Sequence, residues 1–215
     1  MPDGFIRRAQ PSDIDRLVEL QMEAFAPEEN IPVSLGRRFV RAKYRWLVAS
    51  ERAYTLVAVI EGKIIGLVGV SDTSYFRPML RASFRELLRG VVLKPSVFFN
   101  KSLWKRLIQN DGYKIQLAKK ISGHRKFAQL AIIIIEKGYR GQGIFPALIE
   151  AAIKTSRSRG SRAIRAGIYK ENWASRRAFE KVGWTEMPEL ETADRVYSVL
   201  YLDEGFAKEL GAIEG

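Results

Sequence analysis

"LAIIII" (130–135) runs directly into "EKGYRGQGIFPALI" (136–149). The first part is apolar, β-branched and without alternation, which reads as a buried strand. The second places Gly138, Gly141 and Gly143 within six residues, and a helical pattern follows at once. Bare glycines let backbone N–H groups converge on a ligand. The start of a helix adds unpaired N–H groups and the positive end of its dipole. Together they form an anion site suited to phosphate. Pro146 fits the first helical turn, where its missing N–H costs nothing. No Gly-Lys-Ser/Thr follows, so this is not a Walker A loop. Gly-x-Gly-x-x-Gly fails at Pro146, so it is not a dinucleotide fingerprint. On these residues alone, a plain glycine-rich strand-to-helix turn remains the alternative.

Outward from this turn, the chain reads as mixed α/β. Residues 4–10 form a first strand, and 11–25 an amphipathic helix with Ser12 as cap. Residues 33–50 are helical again, with Phe39, Tyr44 and Leu47 on one face. A hairpin over 53–71 turns at Glu61-Gly62. After the central strand and the helix over 145–160 come a strand (162–169), a short helix (173–183) stopped by Gly183, and a closing strand (195–203). The 215 residues suit a single domain, 1–215, with an elaboration.

The chain has no cysteine, which excludes disulfides, zinc–cysteine sites and a Cys nucleophile. His124 is the only histidine, which argues against multi-His metal sites and Ser-His-Asp triads. No metal is expected. The N-terminus carries early charges and no apolar core, and no apolar run approaches a membrane span. The expectation is a soluble, cytoplasmic protein. The net charge of +12 is uneven: residues 75–128 hold 13 Lys/Arg against two acids, Glu86 and Asp111. The remainder is nearly neutral.

"YRGQGIFPALIEAA" between strand and helix, followed by "IYKENWASRRAFEKVGW", resembles the GNAT superfamily of acyl-coenzyme A N-acyltransferases. Its central motif, Arg/Gln-x-x-Gly-x-Gly/Ala, is matched at Arg140, Gly141, Gln142, Gly143 and Ile144. It departs at Phe145, where a small residue is usual. The second motif is matched at Asn172, Phe179, Lys181, Gly183 and Trp184. The resemblance covers roughly residues 5–74 and 127–203. It implies a mixed twisted sheet whose central strands splay apart, flanked by helices, with a helical insertion between strands 3 and 4 at about 75–127. It also implies acetyl-CoA as co-substrate. Its pyrophosphate would sit on residues 141 to 146, Phe145 and Pro146 included, and its pantetheine would pair with Ile133, Ile134 and Ile135. Phe145 is expected to point into the core below the helix, or else to alter the pyrophosphate pocket. Asn172 is expected to bind coenzyme and fix its turn.

The resemblance also locates what is missing. The family's frequent general acid is a Tyr seven residues after the Asn; that position is Phe179. A Glu five residues before the Asn often serves as base; that position is Gly167. Glu136, at the mouth of the central strand, and Tyr169, on the same side of its strand as Gly167, are the candidate substitutes. Glu136 could equally be a solvated strand-end carboxylate. Water chains are a further route for the proton.

The basic segment begins with "PMLRASFRELLRGVV", which carries Leu80, Phe84, Leu87, Leu88 and Val91 on one helical face. Arg77, Arg81, Arg85 and Arg89 form a stripe beside it. A second helix over 96–109 repeats the theme, with Phe99, Leu103 and Leu107 as its seam. Four readings stay open: a helical cap with a solvated basic face, an electrostatic funnel for anionic substrates, peripheral membrane attachment through Phe98, Phe99 and Trp104, and nucleic-acid binding, ranked last. Bacterial surface-polysaccharide members of the family look similar at this point. The expected activity is acetyl transfer to a primary amine of a small molecule, such as an amino sugar nucleotide. The rivals are a protein amine, for which Glu28 and Glu29 would suit a cationic peptide, and a non-catalytic acyl-CoA-binding module recruited to membrane.

Overall fold

The computed structural model describes residues 5–72, 76–93 and 127–209. Seven strands form one sheet: β1 (Ile6–Arg8), β2 (Ala53–Ile60), β3 (Lys63–Ser71), β4 (Phe127–Ile135), β5 (Ala163–Tyr169), β6 (Thr185–Glu186) and β7 (Arg195–Tyr201). Their spatial order is β1-β2-β3-β4-β5-β7-β6. The β4–β5 pair is parallel and the others are antiparallel. The described helices are α1 (Ile14–Ala24), α2 (Ile31–Ser34), α3 (Arg37–Ala49), α4 (Phe76–Ala82), α5 (Phe84–Leu93), α6 (Ile144–Ser158), α7 (Trp173–Lys181) and α8 (Glu204–Glu209).

The central strands are apolar on both faces because helices cover both. On one face Ile144, Leu148, Ile149 and Ala152 of α6 pack on Tyr54, Ile65, Val68 and Ile164. On the other, Leu17 and Leu20 of α1 and Val40, Tyr44 and Leu47 of α3 pack on Val57, Leu67, Ile132 and Ile134. Tyr54 anchors α6: its hydroxyl lies 2.8 Å from the Ala152 carbonyl, to which it donates, and 2.7 Å from Ser156 Oγ. Burial pushes this phenol up to about 12. The β2–β3 hairpin turns through Glu61 (φ 50°) and Gly62 (φ 77°), both left-handed, which matches the right-handed twist of the strands it joins.

Three expected helices come out divided. Residues 11–25 begin with a 3-10 turn, Pro11–Asp13, and Ser12 lies inside it. Asp13 organises this start instead: its Oδ2 accepts the Gln10 N–H at 2.7 Å, and its carboxylate holds Arg7 at 2.6 and 3.0 Å. The helix expected over 33–50 is broken at Gly36, whose φ of 94° no helix accommodates. The helix expected over 78–92 breaks at the buried Ser83 into α4 and α5. Met79 of α4 is buried beside Leu35 and Phe39, but Phe84 and Leu88 of α5 are 56% and 49% exposed. The second basic helix, with Phe98, Phe99 and Trp104, and His124 all lie outside the described residues.

The sheet opens at its centre. β4 and β5 pair from Phe127↔Ala163 to Leu130↔Ala166, and the register goes no further. At that point Ala131 is a bulge: Gly69 faces Ile132 while Val70 faces Leu130. A bulge bends its strand, and here the bend coincides with the parting of β4 from β5.

Candidate functional site

The parting of β4 and β5 leaves part of the β4 backbone without a strand partner. The Glu136 N–H donates to the Ile65 carbonyl of β3 at 2.8 Å. Backbone groups alternate sides along a strand. Ile134 therefore also faces β3, while Ile133 and Ile135 turn their N–H and C=O groups toward the gap. Arg140 Nε donates to the Ile135 carbonyl at 3.2 Å, folding the turn back over the strand end.

The glycine turn follows. Gly141 and Gly143 have φ of 78° and 79°, which a side chain would strain. Gly143 caps α6, and the Gln142 amide ties the loop to the Gly138 carbonyl at 3.1 Å. The first N–H groups of a helix have no acceptor within it, so those of Ile144 and Phe145 are presented at the positive end of α6. Pro146 shapes this turn but has no N–H to give. Phe145 is half-buried and meets Phe179 of α7 edge to face, with ring centroids 5.1 Å apart. Phe179 in turn meets Trp184 at 4.8 Å.

A cavity of about 200 Å³ occupies the gap. Ile133, Gly167, Tyr169, Asn172, Ser175 and Phe179 line one part of it. Asn172 is fixed there as the cap of α7, its Oδ1 accepting the Ser175 N–H at 3.0 Å. Tyr169 points its hydroxyl at Arg195, which donates to it at 2.9 Å. Gly167 is bare because Tyr197 lies behind it, 3.1 Å from where a Cβ would stand.

Glu136 is not among the residues lining this cavity. Its carboxylate is held by Arg16 and Lys63, each at 2.6 Å. Its hydrogen bond from Lys63 and the Arg16 charge pull it below the ordinary carboxylate range. This is a poor setting for a base, so the structure separates the two candidate proton-transfer residues and leaves only Tyr169 in the cavity.

Two features escaped the sequence reading. The far part of the cavity is formed by Phe25, Asn30, Ile31, Pro32, Met79 and the buried Lys43. Helical periodicity signals that Lys43 is on the inner face of α3, since it precedes Tyr44 and falls four residues before Leu47, but a lysine invites a surface assignment. The second feature is a cleft of about 660 Å³ between α3 and α5, lined by Arg37, Arg38, Arg41, Arg45, Arg85, Arg89 and Glu86. The basic stripe of α5 is thus joined by four arginines of a helix that lies far from it in the chain.

Comparison with known proteins agrees with this architecture. The acetyltransferase (GNAT) family profile matches residues 14–184. An uncharacterized N-acetyltransferase of Archaeoglobus fulgidus is 21% identical over 174 residues, spanning 81% of this chain and 88% of that protein. The yncA protein of Salmonella typhimurium, solved with its cofactor acetyl-CoA, superposes with a TM-score of 0.58 at 18% identity, covering 93% of this chain and 94% of that one. The ribosomal-protein-alanine N-acetyltransferase of Brucella melitensis gives 0.57 at 19% identity, covering 91% and 98%. At such identities the structural likeness speaks for the fold, and the profile match speaks for kinship. The chain belongs to the GNAT family of acetyltransferases.

Proposed function

We propose that this protein transfers an acetyl group from acetyl-CoA to the primary amine of a small molecule. The observation that carries the reading is the open β4 edge, which lines the cavity at Ile133 and runs on into the glycine turn at the start of α6, a turn joined to the cavity wall by the contact of Phe145 with Phe179. Both fit the coenzyme. The N–H groups around Gly141, Gln142, Gly143, Ile144 and Phe145 would hold its pyrophosphate at the N-terminus of α6. Ile133 and Ile135 would pair with its pantetheine amides. When bound, acetyl-CoA supplies an activated acyl carbon to which an amine nitrogen bonds as the sulfur leaves. The chain's share is orientation within the gap, with proton handling assigned to Tyr169. Its hydroxyl accepts from Arg195 at 2.9 Å, which fixes its position at the cavity. Phe179 has none to give.

We infer a small acceptor from the cavity's size, which is below the ~300–1,000 Å³ usual for ligand pockets, and from its lining, which among the described residues includes no acid to pair with a cationic peptide. An amino sugar nucleotide would instead call on the arginine cleft for its phosphates.

A second reading rests on α5. Phe84, Leu88 and Val92, 56%, 49% and 74% exposed, follow one side of this helix beside Arg85 and Arg89. That pairing suits an anionic bilayer surface.

The primary reading is tested by the melting temperature with and without acetyl-CoA, for the wild type and Gly143→Trp. Ligand at about a hundred times its Kd adds roughly 2.7 kcal/mol, a rise of very roughly 5–10 °C for a chain of this size. A rise in wild type that is lost in the variant supports coenzyme on the glycine turn. No rise in wild type removes the reading.

A further inference from the structure

Lys43 is buried, 3% exposed, on α3. Its Nζ donates to Gln21 Oε1 at 2.9 Å and lies 4.9 Å from the Tyr44 ring centroid. Gln21 is fully buried too, and its amide nitrogen donates to Asn30 Oδ1 at 3.0 Å. That oxygen also accepts the Val33 N–H at 3.3 Å. The chain Lys43–Gln21–Asn30 thus has its amide fixed: the Gln21 nitrogen is committed to Asn30, so its oxygen faces the lysine. This is a deliberate seat for an ammonium, yet no carboxylate shares it among the described residues. The acids of α1 pair elsewhere, Asp15 with Arg41, Glu19 with Arg16 and Arg37, and Glu23 with Arg16.

A buried ammonium without a counter-charge is costly, and a protein that keeps one needs a reason. Here Lys43 lines the cavity where the acceptor must enter, beneath Asn30, Ile31, Pro32 and Met79. The other ionisable groups of that cavity are Tyr169 on β5 and Arg195 on β7. Every charged side chain in the lining is therefore basic.

We propose that the acceptor carries an anionic group, a carboxylate or its phosphonate equivalent, beside its primary amine, and that Lys43 receives that group. The proposal rests on the acetyl-transfer reading and narrows it to amino-acid-like amines. Burial holds the free Lys43 down to about 7, so it is poised to take up a proton when an anion arrives. The ligand supplies the charge that the fold omits. A lysine that merely packed its stem would gain nothing from facing a cavity, and a Met would fill the same place at lower cost.

The test uses binding rather than turnover. N-acetylleucine, N-acetylmethionine and N-acetylphenylalanine resemble products and carry no ammonium of their own. Each is titrated calorimetrically at pH 8 beside its carboxamide, in Tris and in triethanolamine, against wild type and Lys43→Met. At least one acid is expected to bind about tenfold or more tighter than its amide, with uptake approaching one proton per ligand. In Lys43→Met the preference should shrink to about twofold or less and the uptake should vanish. The wild-type proton uptake stands as evidence even if the variant folds poorly. Amides that bind as well as acids, acids that prefer the variant equally, or no binding by any acid would each overturn the proposal. Acetyl-CoA binding is followed separately by its own melting shift. Its failure would remove the transferase reading while leaving the anion seat to be judged on its own.

Discussion

Phe145 and Phe179 meet edge to face with their centroids 5.1 Å apart, so the first turn of α6 is pinned to α7 by an aromatic pair. The residue that breaks the family's preference for a small side chain and the residue that replaces its usual Tyr are in contact. Removing either side of this pair exposes the other. Phe145→Ala is expected to cost about 2–3 kcal/mol, less than full-core Phe truncations because Phe145 is only half-buried. Urea unfolding measures the loss. Acetyl-CoA affinity should fall with it, since the glycine turn loses its brace.

Glu136→Gln separates a structural carboxylate from a catalytic one. Its two cationic partners hold the carboxyl below its ordinary value of 4.5. The folded state therefore gains stability above that value and loses it as pH falls through the lower folded one. The gain is at most about 1 kcal/mol, because Lys63 is half exposed and solvent screens the pair. The substitution should flatten acid unfolding slightly. It should leave kcat within about tenfold, whereas loss of a general base costs roughly 10²–10⁴-fold.

Lys43 works against the fold, where Glu136 supports it. Its folded value of about 7 lies well below the ordinary 10.5. Below pH 7 both states hold the proton and the fold bears the full cost. Between 7 and 10.5 the unfolded chain binds more protons, so stability should climb with pH. A gap of that size is worth on the order of 5 kcal/mol. Lys43→Met should raise stability at pH 7 and erase the slope; urea midpoints across pH 6.5–10 would show it.

The α5 surface predicts a lipid preference. Co-sedimentation with phosphatidylglycerol vesicles, and not with phosphatidylcholine, is expected for the wild type. Arg85→Gln with Arg89→Gln should weaken it, at about 1 kcal/mol per arginine near the surface. Equal sedimentation with both lipids, or no change in the double variant, counts against membrane contact.

The succession of strands along the chain (the two-residue β6 apart), the hairpin at Glu61-Gly62 and the glycine turn were legible because each rests on local chemistry: β-branched runs, left-handed turn positions, bare backbone at a helix start. What was not legible depends on partners distant in sequence. Glu136 reads as a free carboxylate until Arg16 and Lys63 are placed around it. Lys43 reads as surface until α3 is laid on the sheet. Gly36 and Ser83 broke helices whose apolar spacing ran on through them, since periodicity reports a face and not its continuity. The arginine cleft needed α3 and α5 to be neighbours, which no local pattern states.

The open edge of β4 has an evolutionary corollary. Ile133 and Ile135 present peptide groups, and any residue that tolerates a strand supplies the same peptide. A site written in main chain constrains shape and leaves side-chain identity largely free to drift. That freedom is in keeping with a relative sharing 21% of its residues with this chain across 81% of its length.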